Sequence, residues 1–267
     1  MTIRRAYADL PHGQVHYAEC GDAGAPAVLL LHQTPRSWSE YRAVLPLLGT
    51  RYRALAMDTA GFGASDAWPA PASIEAWAGA AAQLMRTLGI GQAHVVGHHT
   101  GGVIAVELAA SHAQLVRSLV LSSTPYTDAA FRRARAARPP IDAVEPSDDG
   151  AHLAQLWRQR QAFYPVGRPE LLQAFVADAL KVDGDVEAGH RAVASYRMEE
   201  RIGAIQQPTL VIRAPDDPFA APHAADWLQR LPQARLVDIA GGMVPLPDQL
   251  PEAFAQAVLE FLDELHS

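Results

Sequence analysis

Val95-Val96-Gly97-His98-His99-Thr100-Gly101-Gly102 is the stretch of sequence that decides the fold. The two valines suit the end of a buried strand, and the apolar run that follows over 103–109 has helical spacing. The Gly-x-His-x-Gly turn between them must be tight, because its glycines leave room for the strand and helix to approach closely. The middle residue, His99, is then held in a strained conformation and stands alone at the tip of the turn. The stretch predicts a strand, a sharp turn and a helix, with a candidate functional residue at position 99.

The rest of the chain alternates between predicted strands and helices. Ala27–Leu31 is an unbroken apolar run, which is typical of a strand buried on both faces of a parallel sheet. Further strands are predicted at 52–57, 118–121, 209–213 and 235–239, with an edge hairpin at 3–7 and 14–19. Helices are predicted at 37–48, 73–88, 220–230 and 251–265.

The alternation stops over residues 125–205, where the pattern is helical and amphipathic and is broken by prolines such as Pro139-Pro140. Such an interruption in a series of strands and helices indicates an inserted helical cap. We therefore predict an α/β protein with a mostly parallel central sheet flanked by helices. Its core domain comprises residues 1–124 and 206–267, and its helical cap residues 125–205.

Composition excludes several classes of function. The chain has 267 residues and a net charge of −7, and an acidic surface without a basic stripe does not favour nucleic acid. No stretch is long and apolar enough to span a membrane, and Met1–Arg5 does not lead into the apolar run of a signal peptide. The single cysteine, Cys20, rules out an internal disulfide and suits the cytoplasm. Gly61-x-Gly63 lacks the third glycine of a dinucleotide site, so we expect no cofactor. A small-molecule substrate is the expected partner, and a homodimer is left open.

With these features in view, the chain resembles the α/β-hydrolase superfamily, in particular cap-bearing members such as haloalkane dehalogenases, epoxide hydrolases and carbon–carbon bond hydrolases. The turn at His99 is similar to the Gly-x-Ser-x-Gly nucleophile elbow of that superfamily. His32-Gln33-Thr34-Pro35 resembles its His-Gly-x-Pro loop, and Ala214-Pro215-Asp216-Asp217-Pro218 falls where it has Gly-x-x-Asp. The resemblance implies that the amides of Thr34 and Thr100 form an oxyanion hole. It also implies that Asp217 is the catalytic acid and that His32 braces its loop.

Two positions depart from the pattern of the superfamily. His99 replaces the Ser, Asp or Cys nucleophile, and Met243 stands where Gly-x-Gly-His-x-Pro would supply the catalytic histidine. A thioether accepts no proton at neutral pH, so the usual Ser-His-Asp relay is absent.

The two departures suggest a connected hypothesis. An imidazole at the elbow is longer than a serine by about 2 to 3 Å, so it could reach the acid from the opposite side. We expect a His99–Asp217 pair in which Asp217 fixes the tautomer and His99 acts as general base. Met243 would then form an apolar wall in the vacated space.

Other candidate residues have more than one interpretation. The Gln33 amide would either donate to a substrate carbonyl or brace its own loop, and His98 would pack beside the elbow or contact substrate. Tyr126 is one of several aromatic residues of the predicted cap that could line the pocket. His32, His98 and His99 lack any recognised ligand spacing, so we expect no metal. Four arginines of the predicted cap also have two interpretations: they form a solvated helix face, or one of them turns inward and selects carboxylate-bearing substrates. They are Arg132, Arg133, Arg135 and Arg138.

Three functions remain open from the sequence. The first is a hydrolase of a small ester, lactone or diketone in which His99 activates water. The second is a cofactor-independent lyase, decarboxylase or isomerase in which His99 moves a proton and the oxyanion hole binds an enolate. The third is a catalytically inactive small-molecule-binding protein that retains the pocket.

Overall fold

An eight-stranded sheet forms the centre of the computed structural model. The structure describes residues 1–68 and 71–265, so positions 69–70 and 266–267 of the expected core domain lie outside the described residues. The strands are β1 Arg4–Leu10, β2 Gly13–Cys20, β3 Ala27–Leu31, β4 Arg53–Met57, β5 Ala93–His98, β6 Val116–Ser122, β7 Thr209–Arg213 and β8 Arg235–Asp238. Their order across the sheet is β1-β2-β4-β3-β5-β6-β7-β8.

Pairing is antiparallel between β1 and β2 and between β2 and β4, and parallel across the rest of the sheet. Every residue of β3 and of β5 is buried, as the unbroken apolar run of β3 predicts. Leu31 of β3 pairs with Gly97 of β5, and His98 pairs with Ser122 of β6. The loops that follow these three strands therefore begin at one edge of the sheet. The predicted α/β architecture, with its mostly parallel sheet flanked by helices, is confirmed.

The α helices are α1 Val44–Leu48, α2 Ile74–Thr87, α3 Thr100–Ser111, α4 Ala129–Ala136, α5 Ala151–Gln161, α6 Pro169–Ala179, α7 Ala188–Ser195, α8 Ala224–Arg230, α9 Leu246–Gln249 and α10 Pro251–Glu264. Helix α2 begins where the sequence predicts it, because the Ser73 side chain accepts a hydrogen bond from the amide of Ala76. The helix expected over 37–48 is divided into a 3-10 turn, Trp38–Tyr41, and α1. The short helix α9 was not predicted.

Helices α4 to α7 lie between β6 and β7, within residues 125–205, which we call the helical segment. Helix α6 is tied to the core by Asp178, whose carboxylate accepts hydrogen bonds from the side chains of Arg36, Ser37 and Ser39. Helix α7 approaches the core at Gly189, where a Cβ atom would overlap the side chain of Thr34. These contacts place the helical segment against the loop that follows β3.

Apolar side chains fill both faces of the sheet. One cluster includes Leu29, Val95 and Val103 and packs α2 and α3 against the sheet, and the other includes Leu30, Val96 and Phe254 and packs α1 and α10. A third cluster joins Tyr164 and Phe175 of the helical segment to Val244 of the core. Within 1–68 and 71–265, no helix has the length and apolar character needed to cross a bilayer.

Candidate active site

The tight turn after β5 sets the position of His99. This residue has φ 48° and ψ −114°, a left-handed conformation that is costly for a residue with a side chain. A Cβ atom on Gly97 would overlap the backbone of Gly101, and one on Gly101 would overlap the carbonyl of Leu31. Glycine is therefore required at both flanks, as the sequence predicts, and the turn holds the His99 side chain at the start of α3.

His99 lies in contact with Asp217, which follows β7. Its Nε2 atom is 2.7 Å from Asp217 Oδ2, and the two side chains are 14% and 0% exposed. Neither atom meets the angular criteria for a hydrogen bond among the described residues, so the two groups are in close contact but not aligned. Catalytic hydrogen bonds are often poorly aligned before substrate binds and tighten in the productive complex.

Backbone amides hold the other oxygen of Asp217. Oδ1 accepts hydrogen bonds from the amides of Phe219 at 2.9 Å and Ala220 at 3.3 Å, which leaves Oδ2 for His99. Burial by itself would raise the pKa of Asp217, but the His99 ring and the Phe219 amide outweigh burial and lower that pKa. Asp217 is therefore ionised at neutral pH. Its charge favours a proton on His99 Nε2, which leaves Nδ1 as the basic nitrogen of the neutral ring.

His98 is buried behind the elbow and does not reach the cavity described below. Its Nε2 lies 2.8 Å from the carbonyl of Val244, and its Nδ1 lies 3.0 Å from Ser122 Oγ. Since a carbonyl only accepts, Nε2 carries the proton and Nδ1 accepts from the serine. Burial and the neighbouring His99 lower the pKa of His98 to about 3, so the ring stays neutral. His98 thus connects β5 to the last loop, which is the packing role left open by the sequence.

Thr34 and Thr100, the two residues expected at the oxyanion hole, lie side by side. Their hydroxyl groups are 2.9 Å apart, and both residues contribute to the cavity that contains His99. Thr100 is the first residue of α3, so its amide has no acceptor within the helix and lies at the positive end of the helix dipole. The structure therefore brings together the four residues of the predicted constellation: His99, Asp217, Thr34 and Thr100.

Gln33 braces its own loop. Its backbone amide donates to Glu40 Oε2 at 3.0 Å, and its side-chain Nε2 donates to Glu40 Oε1 at 2.5 Å. Burial raises the pKa of Glu40 to about 7, although the nearby Arg36 and the bonds from Gln33 oppose that change. Gln33 still forms part of the cavity wall. Glu40 is a residue that the sequence analysis missed, and nothing in its local pattern marks it.

His32 also braces the loop that carries Thr34, as the resemblance implied. Its Nδ1 lies 2.7 Å from the carbonyl of Gln33, and its Nε2 accepts from the amide of Thr59 at 2.9 Å. Both ring nitrogens of His32 and of His98 are thus engaged by protein groups. Outside them, Asp142, Glu187 and His190 bring ligand-type atoms within 4.8 Å of one another. Arg160 already binds both oxygens of Asp142, so this cluster is an ion-pair network.

Two other expected binding residues lie away from the cavity wall. The Tyr126 ring packs edge-on against Trp227 at 5.5 Å, and its side chain is buried there. The backbone amide of Met243 donates a hydrogen bond to Gln249 Oε1 at 2.7 Å, which fixes the backbone of the last loop. The next residue, Val244, lines the cavity instead of Met243. The apolar wall expected from Met243 is thus provided one position later, because the loop and α9 turn Val244 inward.

The cavity has a volume of about 840 Å³, within the usual range for sites that bind small molecules. Core residues and residues of the helical segment form its wall together. The wall consists of Gln33, Thr34, His99, Thr100, Pro125, Ala130, Phe131, Ala134, Arg135, Arg138, Pro139, Pro140, Ile141, Gln159, Arg160, Phe163, His190, Val193, Pro218, Phe219, Pro222, His223 and Val244. Apart from the arginine run, the contributions of the helical segment could not be found from the sequence, which shows no motif at His190 or Arg160.

The order of the strands, the elbow and the acid after β7 together define an alpha/beta hydrolase fold. A model of that family matches residues 26–243, so the chain belongs to it. "Putative carbamate hydrolase RutD" of Pseudomonas savastanoi pv. phaseolicola is 30% identical over 271 residues, covering 91% of this chain and 96% of that protein. The enol-lactonase from Burkholderia xenovorans LB400 superposes with a TM-score of 0.81 at 23% identity, covering 97% of this chain and 100% of that one.

A second relative aligns with only part of this chain. "Epoxide hydrolase 3" of Xenopus tropicalis is 34% identical over 119 residues, which is 43% of this chain and 32% of that protein. The aligned part therefore spans about a third of the length of that relative.

Proposed function

We propose that this protein is a hydrolase of a small ester, lactone or diketone, with His99 as general base and Asp217 as its supporting acid. The observation that carries the proposal is the 2.7 Å contact between His99 Nε2 and Asp217 Oδ2 beside a cavity of about 840 Å³. The hydrolase names of full-length relatives support the reaction class.

The proposed mechanism starts with water in the cavity beside His99. Nδ1 of His99 accepts a proton from the water as its oxygen attacks the substrate carbonyl, and Asp217 stabilises the imidazolium that forms. The amides of Thr34 and Thr100 donate to the oxyanion of the tetrahedral intermediate. The imidazolium then returns the proton to the leaving oxygen or carbon as the bond to the carbonyl carbon breaks. Water replaces the serine, so no acyl-enzyme forms.

The direct test is hydrolysis of a panel of small esters, lactones and diketones by the parent protein and by His99→Ala. General acid–base catalysis contributes roughly a hundredfold to ten thousandfold, so His99→Ala is expected to lose that factor. His12→Ala is a matched control, because His12 is exposed and belongs to the turn between β1 and β2, away from the cavity. Equal turnover by the parent and His99→Ala would contradict the proposal.

Two other results would assign a different function. Exchange of solvent deuterium into a ketone that the parent does not hydrolyse would indicate proton transfer by a lyase, decarboxylase or isomerase. Ligand binding that is unchanged in His99→Ala, with no turnover of any compound, would indicate a binding protein.

A further inference from the structure

The charged residues of the cavity wall are all basic. Arg135, Arg138 and Arg160 belong to the wall, and none of its described members is Asp or Glu. The protein as a whole is acidic, with a net charge of −7, so this local excess of arginine runs against its overall charge. The three arginines differ in how far their charge is already compensated.

The charge of Arg160 is neutralised by Asp142, which is buried and does not belong to the cavity wall. Its Nε donates to Asp142 Oδ1 at 2.6 Å, and a second nitrogen donates to Asp142 Oδ2. Asp142 is fully buried and also lies 2.7 Å from His190 Nε2. A planar guanidinium that binds a carboxylate with two parallel bonds has most of its charge satisfied. Arg160 and Asp142 are therefore part of the framework that positions His190.

Arg135 supports the backbone that carries Arg138. One of its terminal nitrogens donates to the carbonyls of Arg138 at 3.1 Å and Pro139 at 2.9 Å. The other lies 3.8 Å from Glu187 Oε2, which partly compensates its charge. Arg135 thus fixes the turn after α4.

Arg138 is different, because its guanidinium has no carboxylate within ion-pair distance in the described part of the chain. It lies two residues after the end of α4, and Phe131 and Ala134 of that helix belong to the cavity wall as well. Arg138 is exposed at the rim of the cavity, and Pro139, Pro140 and Ile141 follow it in the wall. No described carboxylate compensates the charge of Arg138, so this charge is available to a carboxylate of the ligand.

We propose that the substrate carries a carboxylate, which Arg138 binds, and an apolar body, which the rest of the cavity accommodates. The position of the reacting carbonyl beside His99 rests on the proposed function. The binding of the carboxylate depends only on Arg138. The apolar part of the ligand would contact residues such as Phe163, Val193 and Phe219. The expected ligands are therefore aryl or alkyl acids with a second, reactive carbonyl group.

The test compares acids with their neutral isosteres in a binding assay that needs no turnover. Calorimetry would measure Kd for phenylbutyrate and phenylbutyramide, within a panel of aryl and alkyl acids and their amides. A charge pair at an exposed arginine corresponds to roughly twofold to fivefold in affinity, so the parent should bind the acid more tightly than the amide by that factor. Arg138→Gln should remove the preference, and Arg138→Lys should retain part of it.

Arg133→Gln is the matched control. Arg133 is an exposed arginine of α4, five residues before Arg138, and it does not belong to the cavity wall. It should leave the acid-to-amide ratio unchanged. The inference is overturned if no acid of the panel binds more tightly than its amide, or if Arg133→Gln and Arg138→Gln reduce the ratio equally.

The same measurement in His99→Ala separates this inference from the proposed function. If the preference for acids persists and depends on Arg138, but no compound is hydrolysed by the parent, the proposed function fails and the carboxylate site stands. If neutral esters are hydrolysed in a His99-dependent way and no acid is preferred, the proposed function stands and the carboxylate site fails.

Discussion

Gly101 of α3 faces the backbone carbonyl of Leu31 in β3 so closely that a Cβ atom at position 101 would overlap the carbonyl oxygen. Because the obstacle is backbone, it cannot move aside as a flexible side chain would. We expect Gly101→Ala to lower the free energy of unfolding by at least about 1 to 3 kcal/mol, the usual cost of overpacking. Denaturant unfolding would measure this loss.

Gly79→Ala is the control for that substitution. Gly79 lies inside α2, and a Cβ atom there would have nothing within 4 Å. Alanine should therefore stabilise this helix by roughly 0.5 to 1 kcal/mol. Equal effects of the two substitutions would show that the approach of α3 to β3 does not constrain the elbow.

Asp217→Asn tests the supporting acid. The asparagine oxygen can still accept from the amides of Phe219 and Ala220, so the loop after β7 should keep its structure. The side chain would lose the charge that sets the tautomer of His99, and we expect kcat/KM to fall by about a hundredfold or more. Asp216→Asn, at the exposed neighbouring position, should have parental activity. Full activity of Asp217→Asn would contradict the proposed role of the His99–Asp217 pair.

Arg36 is surrounded by buried acids, and its removal should be costly. It lies 3.1 Å from Asp178 and 2.6 Å from Asp248, and 3.9 Å from Glu40. Arg36→Met leaves these carboxylates uncompensated, which typically costs about 3 to 5 kcal/mol. Thermal and denaturant unfolding at neutral pH would measure the loss. Arg51→Met, which breaks a half-exposed pair with Asp263, should have a much smaller effect, and the reverse order would contradict this interpretation.

His98 should make stability depend on pH in the acid range. Its pKa is about 3 in the folded protein, compared with an ordinary value of 6.5, so the unfolded chain binds the proton first as pH falls. Its stabilising contribution is therefore complete above pH 6.5 and is lost progressively between 6.5 and about 3. The difference in unfolding free energy between the parent and His98→Gln, on the order of a few kcal/mol at neutral pH, should shrink over this range. A constant difference would contradict the assignment of His98 as a buried neutral ring.

The sequence was sufficient to locate most strands and the constellation around His99. Each of those residues lies within four residues of the end of a buried strand, and the carboxyl ends of parallel strands meet at one edge of a sheet. A buried strand has a continuous apolar pattern that needs no knowledge of distant residues. His99 and Asp217 could therefore be paired before their 2.7 Å contact was known.

The residues contributed by the helical segment could not be predicted in the same way. Helical periodicity identifies a helix and its apolar side, but the rotation of α5 and α7 against the core depends on long-range packing such as that of Gly189 on Thr34. For this reason the buried Asp142–His190 contact was missed. The inward placement of Val244 instead of Met243 likewise depends on α9, whose four residues are too few to give a periodic signal.

The attachment of Asp178 to Arg36, Ser37 and Ser39 divides the helical segment into parts with different local stability. Amide hydrogens of α6 should exchange with solvent nearly as slowly as those of the sheet. Helix α4 buries none of its residues completely, so its amides should exchange much faster through local opening. Phe131, Arg135 and the nearby Arg138 would thus lie on the part of the wall that opens most readily, and bound ligand should slow exchange there first.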